Sequence, residues 1–356
     1  MKTQLDFSNK RVTINDIARE AGVAKSTVSF VLNRKTCGVT ISEATRKRVM
    51  DIVKAFGYQP NYMARSLKTR QTGNIGFFLS DTVEGGLTNM FFASIMTGVE
   101  EECRRQGYGL QIGLFNLTCI DSFIFPTPIR QQCVDGVILA GFVPDEILDK
   151  FSQNNIRFVC IGDYMDRPER VCAICLDTIA NQMMLIRHLV GLGHRRIASH
   201  SPTTPRDLVE AKALACAVKS EFPDIDFQLI YTDDHWADFS AAKPLFEKWM
   251  AMPASQRPTA LVCTDQTGAA MLDLTRRHSI SCPRDFSIAV TGDTVMNRMM
   301  NPMLTAIHCN LPQLGTMAAD VLIGHLKNHT SPTPADSRKL AEAELIVRES
   351  TGPARG

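Results

Sequence analysis

Residues 12–33, VTINDIAREAGVAKSTVSFVLN, constrain this chain most, because they predict two short helices joined by a tight turn. Thr13 is suited to cap the first helix, whose apolar residues recur at helical spacing. Gly22 lies in the turn, where the absence of a Cβ permits a positive φ. The second helix, over residues 25–33, turns Val28 and Leu32 inward and keeps a polar outer face. This pattern is typical of a helix-turn-helix that reads DNA.

The outer face of the second helix carries side chains that donate hydrogen bonds to phosphates and base edges, and it carries no acidic residue. These side chains are Lys25, Ser26, Thr27 and Ser29. Ala24, just before the helix, offers no side-chain acceptor, so the first backbone N–H groups are free to attract a phosphate. An ordinary amphipathic helix pair in a larger core has the same apolar spacing, and the polar outer face argues against it.

The charge of the chain is divided unevenly along its length. Residues 1–72 hold 14 of the 39 Lys and Arg residues and 5 of the 37 Asp and Glu residues, a net charge of +9. The remainder has a net charge of −7, so the overall value of +2 hides a basic head on an acidic body. A polyanion is therefore expected to bind the head.

Length and composition narrow the class of protein. With 356 residues, the chain is long enough for a small head and a large body. It has no run of eighteen apolar residues and no apolar stretch at its N-terminus, so neither a membrane helix nor a signal peptide is expected. Eleven scattered cysteines indicate reduced thiols and a cytoplasmic location. Cys172 and Cys175 form a CxxC in an apolar, strand-like run without a second pair, so no metal site is expected there.

Residues 42–57 predict a third helix, with Ser42 as its N-cap and Gly57 just past its end. A basic segment follows, in which a short helix is predicted after Pro60. With fewer than three turns, that helix would be mostly unfolded alone in water and would form only when something packs on it. Leu67 in this segment would act as an apolar wedge in the minor groove or, alternatively, pack against the body.

Three runs in the N-terminal part resemble the head and hinge of the lactose/galactose-repressor (LacI/GalR) family of bacterial regulators. They are TINDIAREAGVAKSTVSFVLN, ISEATRKRV and GYQPNYMARSL. The resemblance covers residues 12–68 almost without a gap. It implies a helix-turn-helix DNA-binding head at 1–59 and a hinge helix or linker at 60–72.

The resemblance also implies roles for individual residues. Positions expected to meet base edges are Lys25, Ser26 and Phe30, and positions expected to meet phosphates are Thr27, Ser29 and Asn33. In the hinge, Ala64 and Leu67 would enter the minor groove, while Met63 would pack hinge against hinge. Phe30 departs from the Arg or Tyr often found there, and it would favour an apolar contact such as a thymine methyl because it cannot hydrogen-bond a base.

From residue 74 the pattern changes to alternating strands and helices. Apolar runs predict a buried strand at 75–79 and further strands at 108–115, 134–141, 158–162, 172–176, 196–199, 259–263 and 287–291. Helices are predicted at 90–106, 178–192 and 267–278. Continuous apolar strands between helices form parallel sheets covered on both faces, and their number indicates two α/β lobes.

The runs DGVILAG, LGHRRIA and RPTALVCTD resemble the effector-binding core of the same family, which is similar to a periplasmic sugar-binding protein. The resemblance implies a two-lobed core over 73–350, a tail at 351–356, and three chain crossings between the lobes. We place the crossings near residues 175, 304 and 328. Lobe one would then be 74–175 with 304–327, and lobe two 176–303 with 328–350.

Ligands of such folds bind at the carboxyl ends of the strands. The residues expected to contact a small-molecule effector are Asp81, Phe91, Phe92, Asp163, Asp265 and Asp293. Each has an alternative role, because a Phe is often part of the core and an Asp after a strand is often a helix N-cap. TD at 264–265 and VTGD at 290–293 depart from the Asn-Asp and Gly-Phe-Asp-Asp usual in the family. These departures leave open a non-sugar ligand or a cleft that binds little.

The predicted function is a DNA-binding transcriptional regulator, expected to be a repressor that reads a near-palindromic operator as an effector-controlled homodimer. The lack of a C-terminal leucine heptad favours a dimer over a tetramer. The alternative is a ligand-binding receptor without activity on DNA. No nucleophile elbow, phosphate-binding loop, HExxH or GxGxxG occurs in a fitting context, so no enzyme activity, cofactor or metal is expected.

His188 and His194, which flank a glycine turn, are expected at the surface.

Overall fold

In the computed structural model, the described residues are 12–33, 41–58, 71–83, 85–162, 170–202, 205–232, 239–340 and 342–355. The chain forms two compact units, residues 1–72 and residues 73–356. The first is the head and the second is the body, and each is described by itself below.

The described part of the head contains three helices: α1 Ile14–Ala21, α2 Lys25–Asn33 and α3 Glu43–Ala55. Thr13 caps α1 in a capping box, in which its backbone N–H donates to Asp16 Oδ2 at 2.9 Å. Gly22 ends α1 with φ of 60°, and Gly57 follows α3 with φ of 58°. Ser42 caps α3 by accepting a hydrogen bond from the backbone of the third helical residue. The predicted start and stop signals of the head are therefore confirmed.

The three helices share a small apolar core. Its buried members are Ile17, Ala18, Ala21, Val28, Val31, Val49 and Tyr58. Leu32 packs against this core and is partly buried. The predicted inward face of α2 is thus confirmed, and the opposite face is left for solvent or a ligand.

The described residues of the body form two six-stranded sheets. In spatial order the first sheet is β11 (Arg338–Leu340), β5 (Ala173–Leu176), β4 (Phe158–Ile161), β3 (Gly136–Ala140), β1 (Asn74–Ser80) and β2 (Gly109–Phe115). The second is β12 (Ala343–Ile346), β10 (Thr305–Cys309), β9 (Ser287–Val290), β8 (Ala260–Cys263), β6 (Arg196–Pro202) and β7 (Asp226–Thr232). All neighbouring strands run parallel except β12, which is antiparallel to β10. The predicted two-lobed α/β body with parallel sheets is confirmed.

Helices cover both faces of each sheet. The first sheet carries α4 (Met90–Gln106), α5 (Thr127–Arg130), α6 (Asp145–Gln153) and α12 (Leu311–Asn328). The second sheet carries α7 (Thr178–Gly191), α8 (Pro205–Glu221), α9 (Ala242–Ala251), α10 (Asp265–Arg277) and the short α11 (Val295–Met299). Separate buried clusters on the two faces of each sheet form the core, as continuous apolar strands require.

Helices α4 and α12 approach each other unusually closely on the first sheet. A Cβ added at Gly98 would lie 1.7 Å from the carbonyl oxygen of Pro312, and one added at Gly315 would lie 2.0 Å from that of Ile95. Only glycine fits at both positions. The hydroxyl of Thr316 also donates to the Gly98 carbonyl at 3.3 Å. The two helices therefore behave as one packed pair within lobe one.

Two of the predicted lobe boundaries need correction. Strand β10 (Thr305–Cys309) pairs with β9 and so belongs to the second sheet, whereas residues 304–327 were assigned to lobe one. The crossing lies at Asn310 instead, because within residues 304–327 the part that packs on the first sheet is α12. Strand β11 pairs with β5, so the chain stays in lobe one after α12 and the third crossing lies between residues 340 and 343, not near residue 328. The first crossing follows Leu176, the last residue of β5.

Candidate nucleic-acid interface and effector site

The core of the head fixes which face of α2 is turned outward. Lys25 and Ser26 in its first turn are exposed, and Thr27, Ser29 and Phe30 are half-buried. The first turn contains no acidic residue. Exposed donors without a competing carboxylate are suited to phosphate oxygens and base edges.

Of the six residues of α2 that were predicted to contact DNA, these five have side chains that the structure describes. Asn33 is the last residue of the helix, and its side chain is not described. The predicted hinge residues Met63, Ala64 and Leu67 lie outside the described residues, as does the predicted effector contact Asp163. Their roles remain predictions from the sequence.

The candidate effector residues of lobe one lie at the carboxyl end of β1 and at the start of α4. Asp81 directly follows β1, is exposed, and donates its backbone N–H to the Phe115 carbonyl at 3.0 Å. Phe91 and Phe92 lie in the first turn of α4, with ring centroids 5.1 Å apart in an edge-to-face arrangement. Both rings pack against the lobe-one core and remain partly exposed.

In lobe two, Asp265 is the first residue of α10, and the N-cap is its neighbour Thr264. Its Oδ2 accepts a hydrogen bond from the Thr294 hydroxyl at 2.7 Å. Burial raises the pKa of Asp265, the Thr294 hydrogen bond opposes this shift, and the nearby Asp293 carboxylate adds to it. The structure therefore brings Asp265 and Asp293 close to each other beyond the carboxyl ends of β8 and β9.

Asp293 is held by an arginine that the sequence analysis did not identify. Its side chain is only 1% exposed, and its Oδ1 accepts a hydrogen bond from Arg348 at 2.7 Å. Arg348 also donates to the Leu304 carbonyl at 2.6 Å. The other oxygen, Oδ2, has no hydrogen-bond partner among the described residues, although Arg298 and His308 nitrogens lie 3.5 Å from it.

The chain path brings the carboxyl ends of both sheets to one junction. β5 leaves the first sheet at its carboxyl end and leads through Asp177 into a helix of lobe two. β10 leaves the second sheet at its carboxyl end and leads through Asn310 into a helix of lobe one. The described effector candidates follow strands at these same ends or begin the next helix, where open α/β folds bind ligands. No set of three His, Cys, Asp or Glu side chains in the described ranges is arranged to hold a metal ion.

Two family models match the chain, one in each unit. Residues 13–61 match the model described as bacterial regulatory proteins, lacI family. Residues 186–351 match the model described as a periplasmic binding protein-like domain. The first match spans the helix-turn-helix and the second spans most of lobe two with the crossings that follow it.

Curated relatives align over nearly the whole chain. The HTH-type transcriptional repressor PurR of Aliivibrio fischeri (strain MJ11) is 27% identical over 89% of this chain and 92% of its own length. The HTH-type transcriptional regulator RegA of Clostridium saccharobutylicum is also 27% identical, over 95% of this chain and 99% of its own.

Solved structures share the fold. The lac repressor dimer bound to operator and the anti-inducer ONPF superimposes with a TM-score of 0.77 at 21% identity, covering 96% of this chain and 100% of that one. The transcriptional regulator CelR in complex with cellobiose gives a TM-score of 0.67 at 23% identity, covering 96% of this chain and 100% of that one.

A helix-turn-helix head joined to a two-lobed, periplasmic-binding-like body defines the class of effector-controlled, DNA-binding transcriptional regulators. The chain combines a LacI-family helix-turn-helix head with a periplasmic-binding-like body. Members of this family bind operator DNA, dimerise and bind small-molecule effectors. Within the described ranges no helix is both long and apolar enough to cross a bilayer.

Proposed function

We propose that this regulator represses transcription as a homodimer whose two heads read the half-sites of a near-palindromic operator in successive major grooves. The observation that carries the proposal is the outward face of α2, exposed and free of acidic residues in its first turn, on a head of net charge +9. The protein would act in the cytoplasm, at the bacterial nucleoid, and without catalysing a reaction.

In this proposal the residues of α2 divide into two groups. Lys25, Ser26 and Phe30 contact base edges and set the sequence, while Thr27, Ser29 and Asn33 contact phosphates and fix the docking. The partly exposed Phe30 ring supports an apolar contact such as a thymine methyl. Ala64 and Leu67 of the hinge enter the minor groove, and Met63 packs against its counterpart in the second copy.

The proposed effector site combines Asp81, Phe91, Phe92, Asp163, Asp265 and Asp293. Arg348 holds one oxygen of Asp293 and leaves the other without a hydrogen bond among the described residues. A ligand donor at that oxygen would complete its hydrogen bonding, as buried polar atoms generally require. The effector would act by binding more tightly to one lobe orientation than to another.

An exposed apolar surface on lobe one supports the homodimer. β2 lies at the edge of the first sheet, and its Ile112 and Leu114 are 45% and 43% exposed. Leu87 nearby is exposed as well. Apolar side chains grouped on an edge strand favour burial against another protein surface, and the family supplies a second copy as the partner.

The proposal is tested by selecting duplexes from a random DNA pool with the purified protein. We expect the selected duplexes to share a near-palindromic consensus. In a gel at moderate salt the protein should retard a labelled consensus duplex, and scrambled duplexes should not displace it. A protein that binds the selected and the scrambled duplexes equally would contradict sequence-specific regulation and leave the ligand-binding receptor as the function.

Two variants test the division of labour on α2. Lys25→Ala should change which base is selected at one position of each half-site, because a bidentate side chain discriminates bases by about 1–3 kcal/mol. Thr27→Val should weaken binding to all sequences alike, because phosphates carry no sequence information. If the two variants shift the selected consensus equally, the assignment of base and phosphate contacts is wrong.

A further inference from the structure

The chain enters the body at the amino ends of three parallel strands. β1, β2 and β3 start at Asn74, Gly109 and Gly136, and their pairing places these starts side by side with β1 in the middle. The head unit ends at residue 72, so Gly73 is the first residue of the body. Every displacement of the head relative to the body therefore passes through the backbone just before β1.

Both backbone groups of Gly73 are hydrogen-bonded within the body. Its carbonyl accepts from the Gly109 N–H at 2.7 Å, and its N–H donates to Asp135 Oδ2 at 2.7 Å. A carboxylate acceptor makes such a bond stronger than a neutral acceptor does. Gly73 has φ of 63°, in the region that favours glycine. The Asp135 carboxylate therefore restrains the backbone at the residue where the chain enters the body.

The loop before β3 holds this carboxylate in place. The Asp135 N–H donates to the Asn74 carbonyl at 2.8 Å, and Asn74 Nδ2 donates to the Cys133 carbonyl at 3.2 Å. A Cβ added at Gly109 would lie 2.2 Å from Asn74 Oδ1, so the Asn74 side chain fills the space beside β2. Burial raises the pKa of Tyr108, and the nearby Asp135 carboxylate adds to this shift. The carboxylate thus belongs to a packed joint between the starts of the three strands.

The start of the second sheet has the same backbone arrangement with a different side chain. β6 pairs with β7 and β8 in the register that β1 has with β2 and β3. Thr259 takes the place of Asp135, and its N–H donates to the Arg196 carbonyl at 2.9 Å, as that of Asp135 does to the Asn74 carbonyl. The Thr259 hydroxyl donates to the same Arg196 carbonyl at 3.3 Å. The sheet start itself therefore does not require a carboxylate, and Asp135 lies in the lobe that the chain enters from the head.

We infer that Asp135 is a positioning residue that sets the half-site spacing the dimer accepts, because its bond to Gly73 restricts the directions in which the chain leaves the body toward the head. The inference rests on the proposed function, in which two heads dock on two half-sites at once. A restricted exit raises the effective concentration of the second head at one separation of the half-sites. A freer exit spreads the heads over more positions, which lowers affinity at that separation and increases tolerance of others.

Three duplexes of equal length test this role: the operator selected by the parent protein, that operator with one base pair added at its centre, and a duplex with a single half-site. Asp135→Ala removes the acceptor of the Gly73 N–H. We expect it to lower the affinity for the selected operator about tenfold and the affinity for the single half-site less than about twofold, because one head docks without regard to the other. Discrimination against the added base pair should shrink by about the same tenfold factor in anisotropy titrations at one salt concentration.

Two further variants show whether the effect comes from this bond. Asp135→Asn keeps an oxygen acceptor without the charge, so it should retain more operator affinity than Asp135→Ala. If Asp135→Ala does not fold, the comparison is made with Asp135→Asn, for which a loss confined to the two-half-site duplex is expected. Thr259→Val is the matched control, because it removes the side-chain polar group at the corresponding place in lobe two. It should leave the ratio of operator to half-site affinity unchanged, even where urea unfolding shows a lower stability.

The outcomes separate positioning from a general loss of folded protein. Equal losses on the operator and on the single half-site, or the same change of their ratio in Thr259→Val, would overturn the positioning role of Asp135. A parent protein that binds the operator no more tightly than the single half-site would contradict the proposed reading by two heads and the inference with it. If the parent prefers the operator and both Asp135 variants keep that preference in full, the proposed function stands and the inference fails.

Discussion

At the scale of single residues, Asp293 shows how one carboxylate can serve both the fold and a ligand. Its buried Oδ1 is neutralised by Arg348, whose side chain is only 9% exposed. Among the described residues, its Oδ2 has the longer contacts with Arg298 and His308 and no hydrogen bond. Removing the close partner would leave a buried charge poorly compensated, which costs far more than losing a surface ion pair.

Arg348→Met is therefore expected to lower the free energy of unfolding by about 3–5 kcal/mol. Arg298→Met is the matched control, because Arg298 meets the same carboxylate but is 63% exposed, and it should change stability by about 0.5 kcal/mol or less. Urea unfolding measures both values. Adding Asp293→Asn to Arg348→Met should restore part of the stability. Equal effects of the two arginine variants would show that Arg348 does not compensate a buried charge.

The same residue marks the limit of what the sequence could predict. Thr13, Ser42 and Gly57 were identified correctly because a cap depends on neighbours within one helical turn. Arg348 was missed because its partner lies 55 residues away in the chain. The residues next to an arginine in the sequence do not indicate which distant carboxylate it will contact.

At the scale of elements, two histidines and several hydroxyl groups form hydrogen bonds that hold the segment after β12 along the second sheet. His194 is buried, and its ring nitrogens lie 2.8 Å from the Thr259 hydroxyl and 3.1 Å from the Gly352 carbonyl. His188 lies 2.9 Å from the Thr351 hydroxyl. The expectation of surface positions was thus wrong for His194, because the residues it contacts come from distant parts of the chain. Burial lowers the pKa of both histidines.

A lowered histidine pKa means that the unfolded chain binds protons more readily than the folded protein. Stability contributed by the neutral rings is complete above the unfolded pKa of about 6.5 and is lost as the pH falls below it. We therefore expect the free energy of unfolding to decrease between about pH 7 and pH 5. His188→Gln with His194→Gln should flatten this dependence, as urea titrations at each pH would measure.

The control for this prediction is His329→Asn, at an exposed position with φ of 56° that asparagine also tolerates. It should leave the pH dependence as in the parent protein. The carboxylates with lowered pKa values, such as Glu102 and Asp336, lose their contribution only at lower pH and do not interfere. An unchanged pH dependence in the double histidine variant would contradict the role of these two rings.

The lobe boundaries show a second limit of the sequence at this scale. The pattern predicted eight of the twelve described strands, because an apolar run between helices is a local signal, and it missed β7, β10, β11 and β12. It did not predict which sheet β10 and β11 join. β10 joins the second sheet because it pairs with β9, and β11 joins the first sheet because it pairs with β5. Neither pairing can be predicted from the residues of the strand itself. The crossings were therefore misplaced at residues 304 and 328.

At the scale of the whole molecule, charge and apolar surface are divided between the two units. The head carries the net positive charge, and the body carries the apolar edge of β2. Operator binding should consequently be dominated by counterion release, and dimerisation by burial of apolar surface. These two kinds of association respond differently to salt.

We expect operator affinity to fall steeply with salt, with a slope of about 0.9 in log–log form for each phosphate neutralised. The dimer dissociation constant should change little over the same range, because apolar burial is not screened. Fluorescence anisotropy with the selected operator and sedimentation of the free protein measure the two quantities in matched buffers. A dimer that dissociates with salt as steeply as the operator complex would mean that charge also holds the two copies together, and a salt-independent operator complex would contradict phosphate contacts by the basic head.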